Sequence, residues 1–151
     1  MNIQATVDHI LLHKGRQIWS VSSDVTVYDA IRTLAERNVG ALLVMDGDRL
    51  VGIFSERDYT RKIILKGRAS KDTKVGAIVS SPVLTVPPEE TVENCMRLMT
   101  ERRIRHLPVV QGGKVLGVIS IGDLVNWIIS AQQVALEQME SYLSGGYPTK
   151  S

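Results

Sequence analysis

Apolar and polar positions along this chain fall into short runs whose period alternates between that of a helix and that of a strand. Over residues 6–13, Val7, Ile10 and Leu11 share one helical face. Residues 18–21 form a short apolar run that predicts a strand. Val27, Ala30, Ile31 and Leu34 then follow the i, i+3, i+4, i+7 stripe of a half-buried helix. Thr26, three positions before Asp29, supplies a capping-box-like start for it. Residues 41–45 and 50–54 read as two strands about Asp46-Gly47-Asp48-Arg49, a hairpin signal. A further helix is expected from Asp58 to about residue 65.

The same order then recurs. Val75, Ile78 and Val79 mimic Val7, Ile10 and Leu11, and residues 83–86 predict a strand. Thr91 starts a helix with the stripe Val92, Cys95, Met96 and Met99. Residues 106–110 and 115–119 are strands joined through Gly112-Gly113, and a long last helix is expected over residues 123–143. Val21/Val86, Thr26/Thr91, Arg32/Arg97, Leu42/Leu107, Gly52/Gly117, Ser55/Ser120, Asp58/Asp123 and Ile63/Ile128 all stand 65 positions apart with no gap. Val7 and Val75 stand 68 apart, so one small insertion or deletion precedes Val21.

A repeated unit that cannot bury its apolar face alone packs against its copy. The expected fold is therefore α/β in the α+β sense: two βαββα units related by a pseudo-two-fold axis. By chain order the units are residues 1–67 with the N-terminal helix and residues 75–144 with the long last helix. Residues 68–74 are a linker, and residues 145–151 are expected to be a loose tail.

Composition narrows the classes. Apolar residues make up 44% and charged residues 23% of the 151, an ordinary globular balance, and aromatics only 5%, so the core is aliphatic. A net charge of +2, with no run of five like charges, is too small to imply a nucleic-acid binder by itself, and no nucleic-acid partner is expected. No apolar run approaches the roughly 20 residues that cross a bilayer, so no membrane partner is expected. The start lacks signal-peptide features and Cys95 has no disulfide partner, so a cytoplasmic setting is expected.

The chemistry sits where strand turns into helix. Gly52-Ile53-Phe54-Ser55-Glu56-Arg57-Asp58 recurs as Gly117-Val118-Ile119-Ser120-Ile121-Gly122-Asp123. A Ser with an acid three residues on caps a helix. The same geometry offers free N–H donors for an anion and an acceptor-only carboxylate for the two hydroxyls of a ribose. Capping and binding do not exclude each other, and both readings stay open.

Two such copies in register resemble a pair of cystathionine-β-synthase (CBS) domains, a Bateman module. The segments Val39-Gly40-Ala41-Leu42-Leu43-Val44 and Ile104-Arg105-His106-Leu107-Pro108-Val109 fit that family too. The resemblance spans about residues 5 to 130. It implies a disc-like pair with two clefts that take AMP, ADP, ATP, NAD or S-adenosylmethionine, each cleft shared between the repeats. Carried over, one cleft combines Ser55, Glu56, Arg57 and Asp58 with Leu84, Arg105 and His106. Asp58 would hold the ribose with help from Ser55, Leu84 would pack on the adenine, and Arg57 and Arg105 would meet phosphate. The other combines Ser120, Ile121, Gly122 and Asp123 with Lys14, Trp19, Val39, Gly40 and Ala41. Gly122 stands where the first cleft has Arg57, and Gly40 where it has Arg105, so Lys14 is the one cation expected there. Unequal clefts follow, with the Asp58 cleft favouring phosphates.

Other candidates have plainer explanations. Cys95 lies on an apolar stripe, which suits packing rather than a reactive thiol. His9 and His13 stand at i, i+4 but lack a third metal ligand nearby. The basic run Arg102-Arg103-Ile104-Arg105-His106 reads as a helix end followed by a cleft-facing strand. Trp127, Ile128, Ala131, Ala135, Met139 and Tyr142 form an apolar side on a helix that outlasts the repeat, which suggests a homodimer. The expected function is a nucleotide-sensing regulatory module without catalysis or catalytic cofactor, signalling to a regulated protein that the sequence does not name. An empty-cleft interaction scaffold and an enzyme acting on a bound nucleotide are the rivals.

Overall fold

A computed structural model describes residues 5–79 and 83–144, so the expected tail lies outside the described residues. The elements in order are α1 (Val7–Lys14), β1 (Ser20–Val21), α2 (Val27–Arg37), β2 (Ala41–Asp46), β3 (Arg49–Ser55) and the single turn α3 (Glu56–Asp58). A π-helical segment, Tyr59–Ile64, and a 3-10 turn, Val75–Ala77, lead to α4 (Val92–Arg102), β4 (His106–Gln111), β5 (Lys114–Ser120) and α5 (Ile121–Leu143). The fold is a mixed α+β pair, as the repeat predicts.

The two hairpins are the same object built twice. β2 pairs antiparallel with β3 from Ala41↔Ser55 to Asp46↔Arg49, and β4 with β5 from His106↔Ser120 to Gln111↔Lys114. Each register slips once, after Val44 and after Val109, again 65 positions apart. Gly47 (φ 64°) and Gly112 (φ 58°) turn the hairpins in a backbone region closed to most side chains. Thr26 Oγ1 accepts from Asp29 N–H at 3.1 Å and Thr91 Oγ1 from Asn94 N–H at 3.1 Å, so both long helices start on a threonine cap.

The copies differ where residues 83–86 were expected to form a strand. In the first half β1 lies parallel to β2, and Leu43 N–H donates to Trp19 O at 3.0 Å. In the second half only Val86 bridges Val109. The residue matching Leu43 is Pro108, which has no N–H to donate to Leu84, and Pro87-Pro88 stops the run on the other side. The helix expected after Asp58 also departs from a regular α-helix: Leu65 N–H reaches back five residues to Thr60 O at 3.1 Å.

Each half's core is closed by the segment that precedes the other half. Val7, Ile10 and Leu11 of α1 are buried with Val92, Cys95, Met99, Leu107, Ile119 and Leu124. Val75 and Ile78 are buried with Val27, Ala30, Leu34, Leu42, Phe54 and Ile63. Backbone bonds fasten both joints: Val7 N–H to Glu90 O and Val92 N–H to Ala5 O, each 2.9 Å, and Val27 N–H to Thr73 O (2.8 Å) and Val75 N–H to Val25 O (2.9 Å). Chain order groups α1 with the first unit, whereas its packing belongs to the second.

Gly52 and Gly117 make these joints possible. A Cβ on Gly52 would lie 2.7 Å from Val79 Cβ, and one on Gly117 would lie 2.8 Å from Leu11 Cδ2.

Candidate functional site

At both strand-to-helix junctions the serine and the aspartate close a reciprocal cap. Ser55 Oγ accepts from Asp58 N–H at 3.3 Å, while Asp58 Oδ2 accepts from Ser55 N–H at 3.0 Å and Ser55 Oγ–H at 3.1 Å. Ser120 and Asp123 repeat the arrangement, with Ser120 N–H to Asp123 Oδ2 at 2.8 Å and Asp123 N–H to Ser120 Oγ at 3.1 Å. The cap uses Oδ2 of each carboxylate and leaves Oδ1 outside it.

What surrounds the caps differs. Beside Asp58 lies a cleft of about 620 Å³ lined by Ser55, Glu56, Arg57, Asp58, Leu84, Arg105 and His106, all brought together from the two halves. Four cations that sequence reasoning did not place there, Arg61, Lys62, Arg102 and Arg103, line it as well. Arg61 follows Arg57 at i+4, a spacing that could have flagged it, whereas Arg102 and Arg103 read as an ordinary helix end. Arg103 ends α4 in the left-handed region at φ 56°. Lys62 Nζ donates to Ile78 O at 2.8 Å and stands 3.7 Å from Asp58 Oδ1.

The second cleft, about 240 Å³, is lined by Lys14, Trp19, Val39, Gly40, Ala41 and Ser120, with Gln17 and His106 added. Ile121, Gly122 and Asp123 do not line it. Ile121 packs against the second core, Gly122 is exposed, and the Asp123 carboxylate is covered by Lys14. Lys14 Nζ donates to Asp123 Oδ2 at 2.6 Å and to Val118 O at 3.0 Å. The one cation expected to await phosphate there is thus bound to the carboxylate expected to await ribose. Burial pushes the Asp123 carboxyl up, but the Lys14 hydrogen bond and charge and the Ser120 donors together hold it below its ordinary value.

His106 lines both clefts. A Cβ on Gly40 would stand 3.8 Å from its Nε2, so the imidazole lies against the backbone of the other half. Burial lowers its proton affinity, Lys14 and Arg105 lower it further, and Asp123 and Asp58 act the other way. Trp19 carries the Arg37 guanidinium over its ring at 4.3 Å. His9 and His13 both lie against Trp127, with ring centroids at 6.3 and 5.7 Å.

The CBS domain family matches residues 14–65 and 75–130. The chain belongs to the CBS-domain family. It is 41% identical over 152 residues to the CBS domain-containing protein CBSX3, mitochondrial, of Arabidopsis thaliana, covering 94% of this chain and 73% of that protein. A solved CBS-domain protein from Burkholderia ambifaria MC40-6 is 50% identical with a TM-score of 0.81, over 85% of this chain and 96% of that one. The CBS domain pair of protein MJ0100, solved in complex with 5′-methylthioadenosine and S-adenosyl-L-methionine, has a TM-score of 0.73 over 84% of this chain and 98% of that one. At 21% identity that last likeness is one of fold. Among the described residues no helix is long and apolar enough to cross a membrane.

Proposed function

We propose that this CBS pair is a non-catalytic regulatory module that binds an adenine nucleotide, AMP, ADP, ATP or NAD, in the cleft beside Asp58. The observation that carries the reading is the pairing of a capped carboxylate with arginines in one cavity of about 620 Å³, within the range of small-molecule sites. Asp58 suits the ribose hydroxyls, Leu84 the adenine face, and Arg57 and Arg105 the phosphate. The adenosine ligands held by the MJ0100 pair support the reading through the shared fold. Absence of catalysis is part of the proposal, since the one thiol, Cys95, is fully buried with its pKa pushed up to about 12.

Occupancy would favour one arrangement of the halves over another, and a partner would read the difference. A homodimer is the simplest reader. Val125, Ile129, Leu136, Met139 and Leu143 are exposed along α5, whereas Trp127 and Ile128 pack inward. A cytoplasmic location belongs to the same reading, and cell fractionation checks it.

Titration calorimetry with each nucleotide tests the site. Asp58→Ala should weaken binding at least ~10-fold, the scale of one lost charged hydrogen bond, while Asp123→Ala should change it little. Urea unfolding of both variants separates loss of binding from loss of the cap. Failure of all four nucleotides to bind, or a larger loss in Asp123→Ala, would overturn the reading.

A further inference from the structure

The two clefts come from one duplicated frame, so residues at matched positions show what the fold requires and what it does not. Around the first cleft stand Arg57, Arg61, Lys62, Arg102, Arg103 and Arg105. Their counterparts 65 positions away are Gly122, Asn126, Trp127, Arg37, Asn38 and Gly40. Five of these six are neutral, and the sixth, Arg37, is stacked on Trp19. The fold therefore does not demand cations at these places.

Pairing sharpens the contrast. Among the described residues no carboxylate lies within ion-pair distance of Arg57, Arg61, Arg102, Arg103 or Arg105, whereas Lys14 in the second cleft is bound to Asp123. The lining of the first cleft carries six positive side chains against two negative ones, Glu56 and Asp58. The five arginines, gathered without a carboxylate partner among the described residues, repel one another, and an anion of matching charge relieves the repulsion. Arg57 and Arg105 alone would serve a single phosphate, which leaves Arg61, Arg102 and Arg103 in excess.

We infer that Arg61, Arg102 and Arg103 form a subsite for the outer phosphates of a polyphosphate tail, so that the first cleft selects adenosine 5′-polyphosphates over the monophosphate and over cationic adenosine compounds. The inference rests on the proposed nucleotide site and adds the ligand's charge. A guanidinium fork suits phosphate oxygens in a way that a screened field alone does not. The three arginines are exposed, so each contributes less than a buried contact would.

The test measures affinities of adenosine, AMP, ADP, ATP and S-adenosylmethionine for the full chain, with chelator present so that ATP carries its bare charge. Affinity should rise with each added phosphate, ATP binding about 10-fold or more tighter than AMP, with a steeper salt dependence, as expected for charge-assisted contacts. The triple variant Arg61→Gln/Arg102→Gln/Arg103→Gln should bind AMP as the parent does and lose most of the ATP advantage. Inorganic tripolyphosphate should compete for ATP in the parent, bind Asp58→Ala undiminished, and fail with the triple variant. Equal affinity for AMP and ATP, both sensitive to Asp58→Ala, would overturn the inference and leave the nucleotide site standing. Failure of every adenosine compound would overturn the nucleotide site itself and the inference with it.

Discussion

Gly52 and Gly117 occupy the same place in the two halves, facing Val44 and Val109 across their hairpins. Adding one methyl group to each should have unequal cost. On Gly52 the new Cβ would meet Val79 Cβ at 2.7 Å and Cγ2 at 2.9 Å. A Cβ is fixed to the backbone, so no rotamer change relieves the first of these contacts and the joint must open. On Gly117 the new Cβ would meet Leu11 Cδ2 at 2.8 Å, the tip of a side chain, whose displacement need not move the backbone of α1. Overpacking a closed core costs about 1–3 kcal/mol. Replacing glycine by alanine where backbone and space permit returns about 0.4–1 kcal/mol through the unfolded chain. Gly52→Ala should therefore destabilise by about 1–3 kcal/mol, and Gly117→Ala by less than about 1 kcal/mol. Equilibrium urea unfolding reads both. The cycle with Val79→Gly, which removes the clashing Cβ, should show a favourable coupling of about 1 kcal/mol or more for Gly52→Ala. Equal stability of the two alanine variants, or no coupling to Val79, would refute the packing argument.

Two further outcomes follow from the titrating groups. Folding depresses the proton affinity of His106, chiefly through burial and then through Lys14 and Arg105, so the unfolded chain binds that proton more readily. The stability held by neutral His106 is complete above its ordinary value of 6.5 and is lost as pH falls below it. His106→Gln should flatten urea midpoints between about pH 7.5 and 5, and an unchanged slope would contradict the assignment. Burial, then the Glu90 charge, pushes the Cys95 thiol up to about 12, so a thiol-specific reagent at pH 8 should modify it only as the chain unfolds. Rapid labelling of folded protein would show that α4 opens far more easily than its buried face implies.

Much of this molecule is legible in the chain because duplication repeats the evidence. The 65-residue register aligns both hairpins, both threonine caps and both Ser/Asp junctions, and the structure keeps each of them. Other features depend on contacts that periodicity does not encode. The apolar stripe of α1 says that the helix is buried but not on which core, and its seat on the second is fastened by backbone bonds to Glu90 and Val92 that no periodicity encodes. Residues 83–86 have strand composition, yet pairing needs an N–H that Pro108 lacks. Lys14 reads as a free cation until the fold brings it to Asp123 across more than a hundred residues of chain. Arg61, Arg102 and Arg103 look like solvated helix charges, and only the cleft gathers them.

The seating of α1 has a consequence for synthesis. Helix α1 leaves the ribosome before both hairpins, but its place beside Gly117 and Leu124 is not built until residues more than a hundred positions later have emerged. The first half can close earlier, since Val75 and Ile78 follow it directly. Contacts between such distant residues form slowly. Helix α1 is therefore made before the half whose core it completes and is seated only after that half has emerged.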